Sequence, residues 1–136
     1  MSKAGIDDAS TAAVFDTNAL VFLLTDSPRL TAPARASATD EGAMRLYSVA
    51  SVYEVAFKAR LGKLPIDPSG FRRALVAGGF TSRSITERVI FAAATLDWAN
   101  RDPWDRIIGA TAMCEGGRLV SSDGAFDALP GIERIW

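Results

Sequence analysis

Hydrophobic and polar positions along the chain predict short apolar strands that alternate with capped, amphipathic helices. Apolar runs bounded by turn residues predict strands at residues 12–16, 45–49, 119–122 and 132–135, with an edge strand at 80–85. Apolar residues at helical spacing predict helices at residues 17–25, 30–41, 50–61, 67–77, 86–97 and 102–115. This alternation indicates an α/β layered fold with a mainly parallel central sheet.

Length and composition are those of a single globular domain. The chain has 136 residues, of which 49% are apolar, and we expect one domain at residues 12–136 after a flexible, polar extension at residues 1–11. No apolar stretch is long enough to cross a membrane and the N-terminus lacks a signal-peptide core, so we expect a cytoplasmic protein. The lone Cys114 lies at helical spacing among apolar residues and is interpreted as a buried small residue.

Four acidic residues are placed where a metal site would form. Asp16, Glu54 and Asp123 follow predicted strands, and Asp105 lies at the start of a predicted helix. Because the carboxyl ends of parallel strands meet at one edge of a sheet, these carboxylates can converge there. Carboxylate oxygens suit Mg²⁺ or Mn²⁺, which in turn suit phosphate chemistry.

Each of these acids also has an ordinary structural interpretation. Asp16 precedes a helix and can cap it, and Ser51 with Glu54 fits a capping box. Asp102 fits the N-cap of the next helix, and Asp123 precedes a glycine in a turn-like segment. The residues alone leave both interpretations open.

The chain contains no histidine, and this excludes several kinds of chemistry. A Ser-His-Asp triad, a Cys-His pair and an imidazole metal site are all impossible. Neither the P-loop motif nor the Gly-x-Gly-x-x-Gly motif occurs. Catalysis by carboxylates and a metal ion remains possible. A rival interpretation is a phosphatase that uses Asp16 as its nucleophile. Asn18 disfavours it, because such enzymes need a second acid at that position.

A net charge of −1 argues against a large basic face. Contact with a nucleic acid must therefore be local, or it must depend on metal ions that neutralise the acids. Scattered arginines offer a local path for RNA, although arginines of this kind are usually solvated surface. They are Arg72, Arg73, Arg83 and Arg88.

Four segments, in order, resemble the motifs of the PIN-domain family, and in particular those of the VapC-type toxins of bacterial toxin–antitoxin pairs. The segments are FDTNAL at 15–20, SVASVYEVAFK at 48–58, RDPWDR at 101–106 and VSSDGAF at 120–126. The likeness extends from about Val14 to Trp136. Two positions depart from the family pattern, since Asn100 stands where relatives often carry histidine and Ser121 where threonine is common.

The resemblance implies a three-layer α/β/α fold and a Mg²⁺- or Mn²⁺-dependent endoribonuclease with an RNA substrate and a small antitoxin partner. It assigns metal binding and catalysis to Asp16, Glu54, Asp105 and Asp123. Supporting roles, in orienting the acids or meeting a phosphate, fall on Thr17, Asn18, Ser51, Lys58, Asp102, Arg106 and Ser122. For Lys58, a simple helix pair with Glu54 is an equal alternative, and for Asp102 a helix cap.

Two other functions remain open within the family. The chain can be a non-toxin PIN nuclease of RNA processing, or a catalytically silent PIN module that acts through protein contacts. We also expect a homodimer, because the predicted helices at residues 17–24 and 50–61 carry more apolar residues than one small core readily hides.

Overall fold

The computed structural model describes residues 12–136, so the predicted extension at residues 1–11 lies outside the described residues. The strands are β1 (Ala13–Phe15), β2 (Arg45–Ser48), β3 (Phe80–Arg83), β4 (Arg118–Val120) and β5 (Glu133–Ile135). The helices are α1 (Thr17–Leu24), α2 (Ala32–Thr39), α3 (Val49–Arg60), α4 (Pro68–Ala77), α5 (Glu87–Thr95) and α6 (Pro103–Cys114), with a 3₁₀ helix at Gly124–Ala128. None of these helices is long and apolar enough to cross a membrane.

The five strands form one sheet in the order β3-β2-β1-β4-β5, and every pair in it is parallel. The first strand of the chain is therefore the central one. Phe15 in β1 lies opposite Tyr47 in β2 and Val120 in β4. The predicted parallel sheet is confirmed, and the carboxyl ends of all its strands lie at one edge.

Side chains of successive strand residues point to opposite faces, and each face has its own core. Phe15 and Tyr47 belong to a cluster formed with α1 to α4. Val14 and Leu46 belong to a second cluster with α6 and the 3₁₀ helix. A third, smaller cluster joins α5 to α6. The sheet is covered on both faces, which confirms the three-layer α/β/α fold.

Most helices begin at a residue whose side chain caps the first turn, and the predicted cap at Asp102 is among them. Thr31, Asp67, Thr86 and Asp102 each accept a hydrogen bond from the first turn of the following helix. The predicted capping box of Ser51 and Glu54 is wrong. Helix α3 begins earlier, directly from β2, and its cap is Ser48, whose Oγ accepts from Ala50 N at 3.0 Å.

Candidate functional site

Asp16 lies at the centre of the carboxyl edge because it follows the central strand. Its backbone N–H donates to the carbonyl of Val120 at 3.0 Å, which extends the pairing of β1 with β4 by one residue. Its Oδ1 accepts from Ala19 N at 2.8 Å and so caps α1. The residue is only 7% exposed. The predicted cap and the predicted position at the sheet edge therefore coincide in one side chain.

Burial raises the pKa of Asp16 to about 6, because the charged form loses solvent. Hydrogen bonds from the Ser121 side chain and the Ala19 backbone oppose this rise in pKa. The negative charges of Asp105 and Asp123 add to it. Asp16 is thus held near two other acids in a setting that disfavours its own negative charge.

Glu54 projects from the second turn of α3 toward the start of α1. Its Oε1 accepts from the Thr17 hydroxyl at 2.6 Å, and that hydroxyl also lies 2.9 Å from Ser51 Oγ. Its Oε2 accepts from Lys58 Nζ at 3.1 Å, so Lys58 forms the ordinary helix pair with Glu54. Thr17 therefore contacts Glu54 directly, and Ser51 reaches it only through the Thr17 hydroxyl.

Asp105 lies in the first turn of α6, where Asp102 is the cap and accepts from Trp104 N and Asp105 N. Its Oδ2 accepts from the side-chain amide of Asn100 at 3.0 Å. Partial burial raises the pKa of Asp105, and the charges of Asp102, Asp123 and Glu54 raise it further, while the bond from Asn100 opposes the rise.

Asp123 is the exposed member of the set. Its Oδ1 accepts from Ala125 N at 2.9 Å and caps the 3₁₀ helix, as the turn interpretation expected. Its backbone N–H donates to Ser121 Oγ at 3.0 Å. Ser121 therefore contacts both Asp123 and the Asp16 side chain. Between residues 12 and 136, no hydrogen bond joins Ser122 to an acid.

The four acids repel one another. Besides burial, the charges of Asp105 and Asp123 raise the pKa of Asp16, and the charge of Glu54 raises the pKa of Asp105. In the described part of the chain, however, no three acidic or cysteine side chains are arranged as they stand to hold a metal. Several of the oxygens are bound instead to protein donors, such as Lys58 on Glu54. The donor set itself, anionic oxygens with mutual repulsion and a buried member, fits a hard divalent cation.

Arg106 holds the loop before α6 together. Its guanidinium donates to four backbone carbonyls at 2.7 to 3.0 Å, and these belong to Ala93, Leu96, Trp98 and Asn100. These bonds use four of the five guanidinium N–H groups and leave one for another partner. Arg106 thus positions the loop that carries Asn100, and its predicted contact with the substrate stays a prediction.

The remaining predicted residues are exposed or form ion pairs with other acids. Asn18 is exposed and has no hydrogen bond to an acid among the described residues. Arg83 pairs with Glu115 at 3.0 Å, and Arg73 lies 3.8 Å from Asp67. Arg72 and Arg88 are exposed, as a solvated surface or an RNA path would each require.

Two residues that contact the acids, Asn100 and Ser121, entered the sequence analysis only as departures from the family pattern. Their contacts depend on side-chain directions that spacing does not specify. The usable signal was position, since Asn100 directly precedes the motif that contains Asp105 and Ser121 lies two residues before Asp123.

Comparison with known proteins matches the family model of the PIN domain to residues 13–132. Three solved structures are similar in fold. VapBC2 from Rickettsia felis bound to a DNA fragment from their promoter gives a TM-score of 0.71 at 13% identity, over 92% of this chain and 99% of that chain. A toxin–antitoxin complex from Klebsiella pneumoniae gives 0.65 at 21% identity, over 89% and 95%. DNA-bound VapBC from Salmonella typhimurium gives 0.69 at 15% identity, over 90% and 96%. No curated protein matches the chain in sequence.

Proposed function

The chain belongs to the PIN-domain family, and from that premise we propose that it is a Mg²⁺- or Mn²⁺-dependent endoribonuclease that serves as the toxin of a toxin–antitoxin pair. The observation that carries the proposal is the electrostatic coupling of Asp16, Glu54, Asp105 and Asp123 at the carboxyl edge of the sheet. The electrostatic energy of such a group of charged carboxylates is unfavourable by itself, and a bound cation makes it favourable.

Asp16, Glu54, Asp105 and Asp123 would hold the metal. When bound, the metal would lower the pKa of a water molecule that attacks the phosphate. Its positive charge would also stabilise the negative charge on the scissile phosphate. Thr17 orients Glu54, and Asn100 orients Asp105, through the hydrogen bonds already described. Lys58 is paired with Glu54 at 3.1 Å and is a cation that a phosphate at the site would attract.

The test is cleavage of RNA by the purified full chain with Mg²⁺, Mn²⁺ or EDTA. We expect cleavage only with a divalent ion, and loss of cleavage in the Asp16→Asn and Asp105→Asn variants with the fold retained. Asp40→Asn is the matched control, because Asp40 is exposed and precedes β2, at the opposite edge of the sheet. Undiminished cleavage in EDTA would contradict the proposal, as would full activity of Asp16→Asn.

The proposed antitoxin is a small protein that places an arginine or lysine among the acids. An arginine fork can bond a carboxylate twice, and it would substitute for metal charge while it blocks the phosphate. A second contact is offered by two adjoining concave regions between α1 and α4 that share Leu24 and Ala74 and include Leu23, Phe71 and Leu75. These suit an amphipathic helix of the partner.

The toxin assignment has its own test, separate from nuclease activity. The chain is expressed alone and together with its genomic neighbour, and growth and co-purification are followed. We expect growth arrest by the chain alone and relief by a neighbour that binds it. If RNA is cleaved but growth continues in both cases and no neighbour binds, the protein is a nuclease of another role.

The homodimer is also proposed. Two helices suggested it. The apolar side chains of α1, such as Phe22 and Leu24, are largely packed against the core, whereas Tyr53 and Phe57 of α3 are exposed.

An apolar surface remains on α5 and the start of α6. Phe91 is 66% exposed there, and the neighbouring Ile90 lines a groove with Pro103, Ile107 and the charged Arg106. We place the second copy there. Light scattering of Phe91→Ser should show a monomer where the unchanged chain shows a dimer.

A further inference from the structure

One arginine of the last strand binds residues on both sides of Asp123. Arg134 lies in the middle of β5, and its side chain is 24% exposed. Its Nε and Nη2 donate to the two carboxylate oxygens of Asp127 at 2.9 and 3.0 Å, and its Nη1 donates to the carbonyl of Ser121 at 3.1 Å. We call Arg134, Asp127 and Ser121 together the arginine clamp.

Ser121 connects the clamp to two of the four acids. It is buried, and its hydroxyl accepts from the backbone N–H of Asp123 and bonds the carboxylate of Asp16. Strand β5 fixes both backbone groups of Ser121, because the N–H donates to the Ile135 carbonyl at 3.2 Å and the carbonyl accepts from Arg134. Loss of the clamp would therefore release a side chain that touches both Asp16 and Asp123.

Asp127 holds the same segment from its other end. It lies in the 3₁₀ helix that Asp123 caps, and its bidentate pair with Arg134 fixes direction as well as distance. Gly124 lies beside this pair, since a Cβ atom added to it would be 3.9 Å from Arg134 Nη2 and from Asp127 Oδ2. The exposed Asp123 is thus held in place by protein contacts before and after it in the chain.

The charge of Arg134 by itself would oppose a bound cation. Hydrogen bonds to Asp127 raise the pKa of Arg134, and the charges of Asp127 and Asp123 add to this rise, so the guanidinium stays positive beside the acids. If charge alone mattered, removal of the guanidinium would tighten the binding of a divalent ion. If position matters, its removal weakens that binding, so the two effects have opposite signs.

We propose that Arg134 is a positioning residue of the metal site, which holds Ser121 and Asp123 in place so that Asp123 joins Asp16 as a ligand of the divalent ion. The inference rests on the proposed nuclease function and adds to it a residue outside the four motifs. Direct contact with the RNA is the competing role. The clamp already uses three of the five N–H groups of Arg134.

The test is direct binding of Mn²⁺ to the purified chain without RNA, from the electron paramagnetic resonance signal of free Mn²⁺. Arg134→Lys keeps the charge but loses the fork, and Arg134→Gln loses both. We expect both variants to bind Mn²⁺ about 10- to 100-fold more weakly. Arg35→Lys and Arg35→Gln, which change another ion pair, with Asp26 at 3.2 Å, are the controls and should bind normally. Equal or tighter binding by either Arg134 variant would overturn the proposal.

A second pair of variants leaves every charge unchanged. Asp127→Glu moves the carboxylate by one methylene, and because Asp127 is 57% exposed at its side chain, the fold should tolerate the change. We expect weaker Mn²⁺ binding by about 3- to 10-fold. The doubly substituted Asp127→Glu/Arg134→Lys chain should lose no more than Arg134→Lys alone, because both changes break one pair. Normal binding by Asp127→Glu would contradict the clamp, and it decides the matter if the Arg134 variants do not fold.

RNA cleavage separates positioning from contact with the substrate. Activity that Arg134→Lys loses at low Mn²⁺ should return at saturating Mn²⁺, because all four acids are present, and its KM for RNA should be unchanged. A raised KM with normal Mn²⁺ binding would make Arg134 a substrate contact and overturn the proposal. Failure of the unchanged chain to bind Mn²⁺ would instead contradict the nuclease assignment itself, on which this role depends.

Discussion

Asn100 donates a hydrogen bond from its side-chain amide to Oδ2 of Asp105, over 3.0 Å. This bond favours the charged form of Asp105, which burial and three neighbouring acids disfavour. Removal of the amide in Asn100→Ala should therefore raise the pKa of Asp105 further. The acid limb of the pH–rate profile for RNA cleavage should move to higher pH, and activity at neutral pH should fall about 10- to 100-fold. Arg101→Ala, an exposed neighbour, is the control and should leave the profile where it is.

Arg106 should contribute to stability rather than to phosphate binding. Lysine carries the same charge, but it is a point charge and cannot bond four carbonyls in several directions. We expect Arg106→Lys to lower the free energy of unfolding by about 2 kcal/mol or more, measured by urea denaturation. A variant of unchanged stability that nevertheless fails to bind RNA would restore the substrate role.

The raised pKa of Asp16 should make stability depend on pH when no divalent ion is present. The pKa is about 6 in the folded protein against an ordinary 3.8, so the folded state binds the proton more tightly than the unfolded state does. Stability should then fall as pH rises from about 4 to about 6 and stay lower above that, by up to about 3 kcal/mol. Asp16→Asn lacks the charge and should lose most of this slope.

The comparison of Asp16→Asn with the unchanged chain is made by urea unfolding in EDTA across that pH range. Asparagine Oδ1 can still cap α1, so the variant should be the more stable one at neutral pH. Added Mn²⁺ should stabilise the unchanged chain and not the variant. Parallel pH curves for the two proteins would show that Asp16 is not the titrating group.

Thr17 should matter for both stability and metal affinity. Thr17→Val keeps the shape but leaves Glu54 and Ser51 without their shared hydroxyl. We expect the free energy of unfolding to fall by about 1–3 kcal/mol. The Mn²⁺ concentration needed to raise the melting temperature should increase about tenfold. Thr25→Val is the matched control, since its hydroxyl bonds only the Val21 carbonyl at an exposed helix end.

Local chemistry made much of the fold predictable. Caps such as Thr31 and Asp67 and the glycines that end helices act over a few residues, so the sequence displays them directly. The start of α3 was misplaced because Ser48 and Ser51 both suit a cap, and only the direct passage from β2 into the helix decides between them. The bonds of Arg106 and Ser121 join residues through tertiary geometry, which no local pattern encodes. For the site, the order of the motifs predicted which four acids come together. It did not predict which protein groups donate hydrogen bonds to their oxygens.

The pairing of β1 with both β2 and β4 has a consequence for synthesis of the protein. The central strand β1 is translated before β4, so one of its two edges stays open until Val120 of β4, opposite Phe15, has been made. Asp105 and Asp123 also belong to this late part of the chain. A chain translated only as far as α5 thus lacks Asp105, Asp123 and the hydrogen bonds that Val120 and Ser121 make with Asp16. A nascent chain of this topology should therefore lack the complete acid group until the segment that carries Asp123 has been translated and has folded.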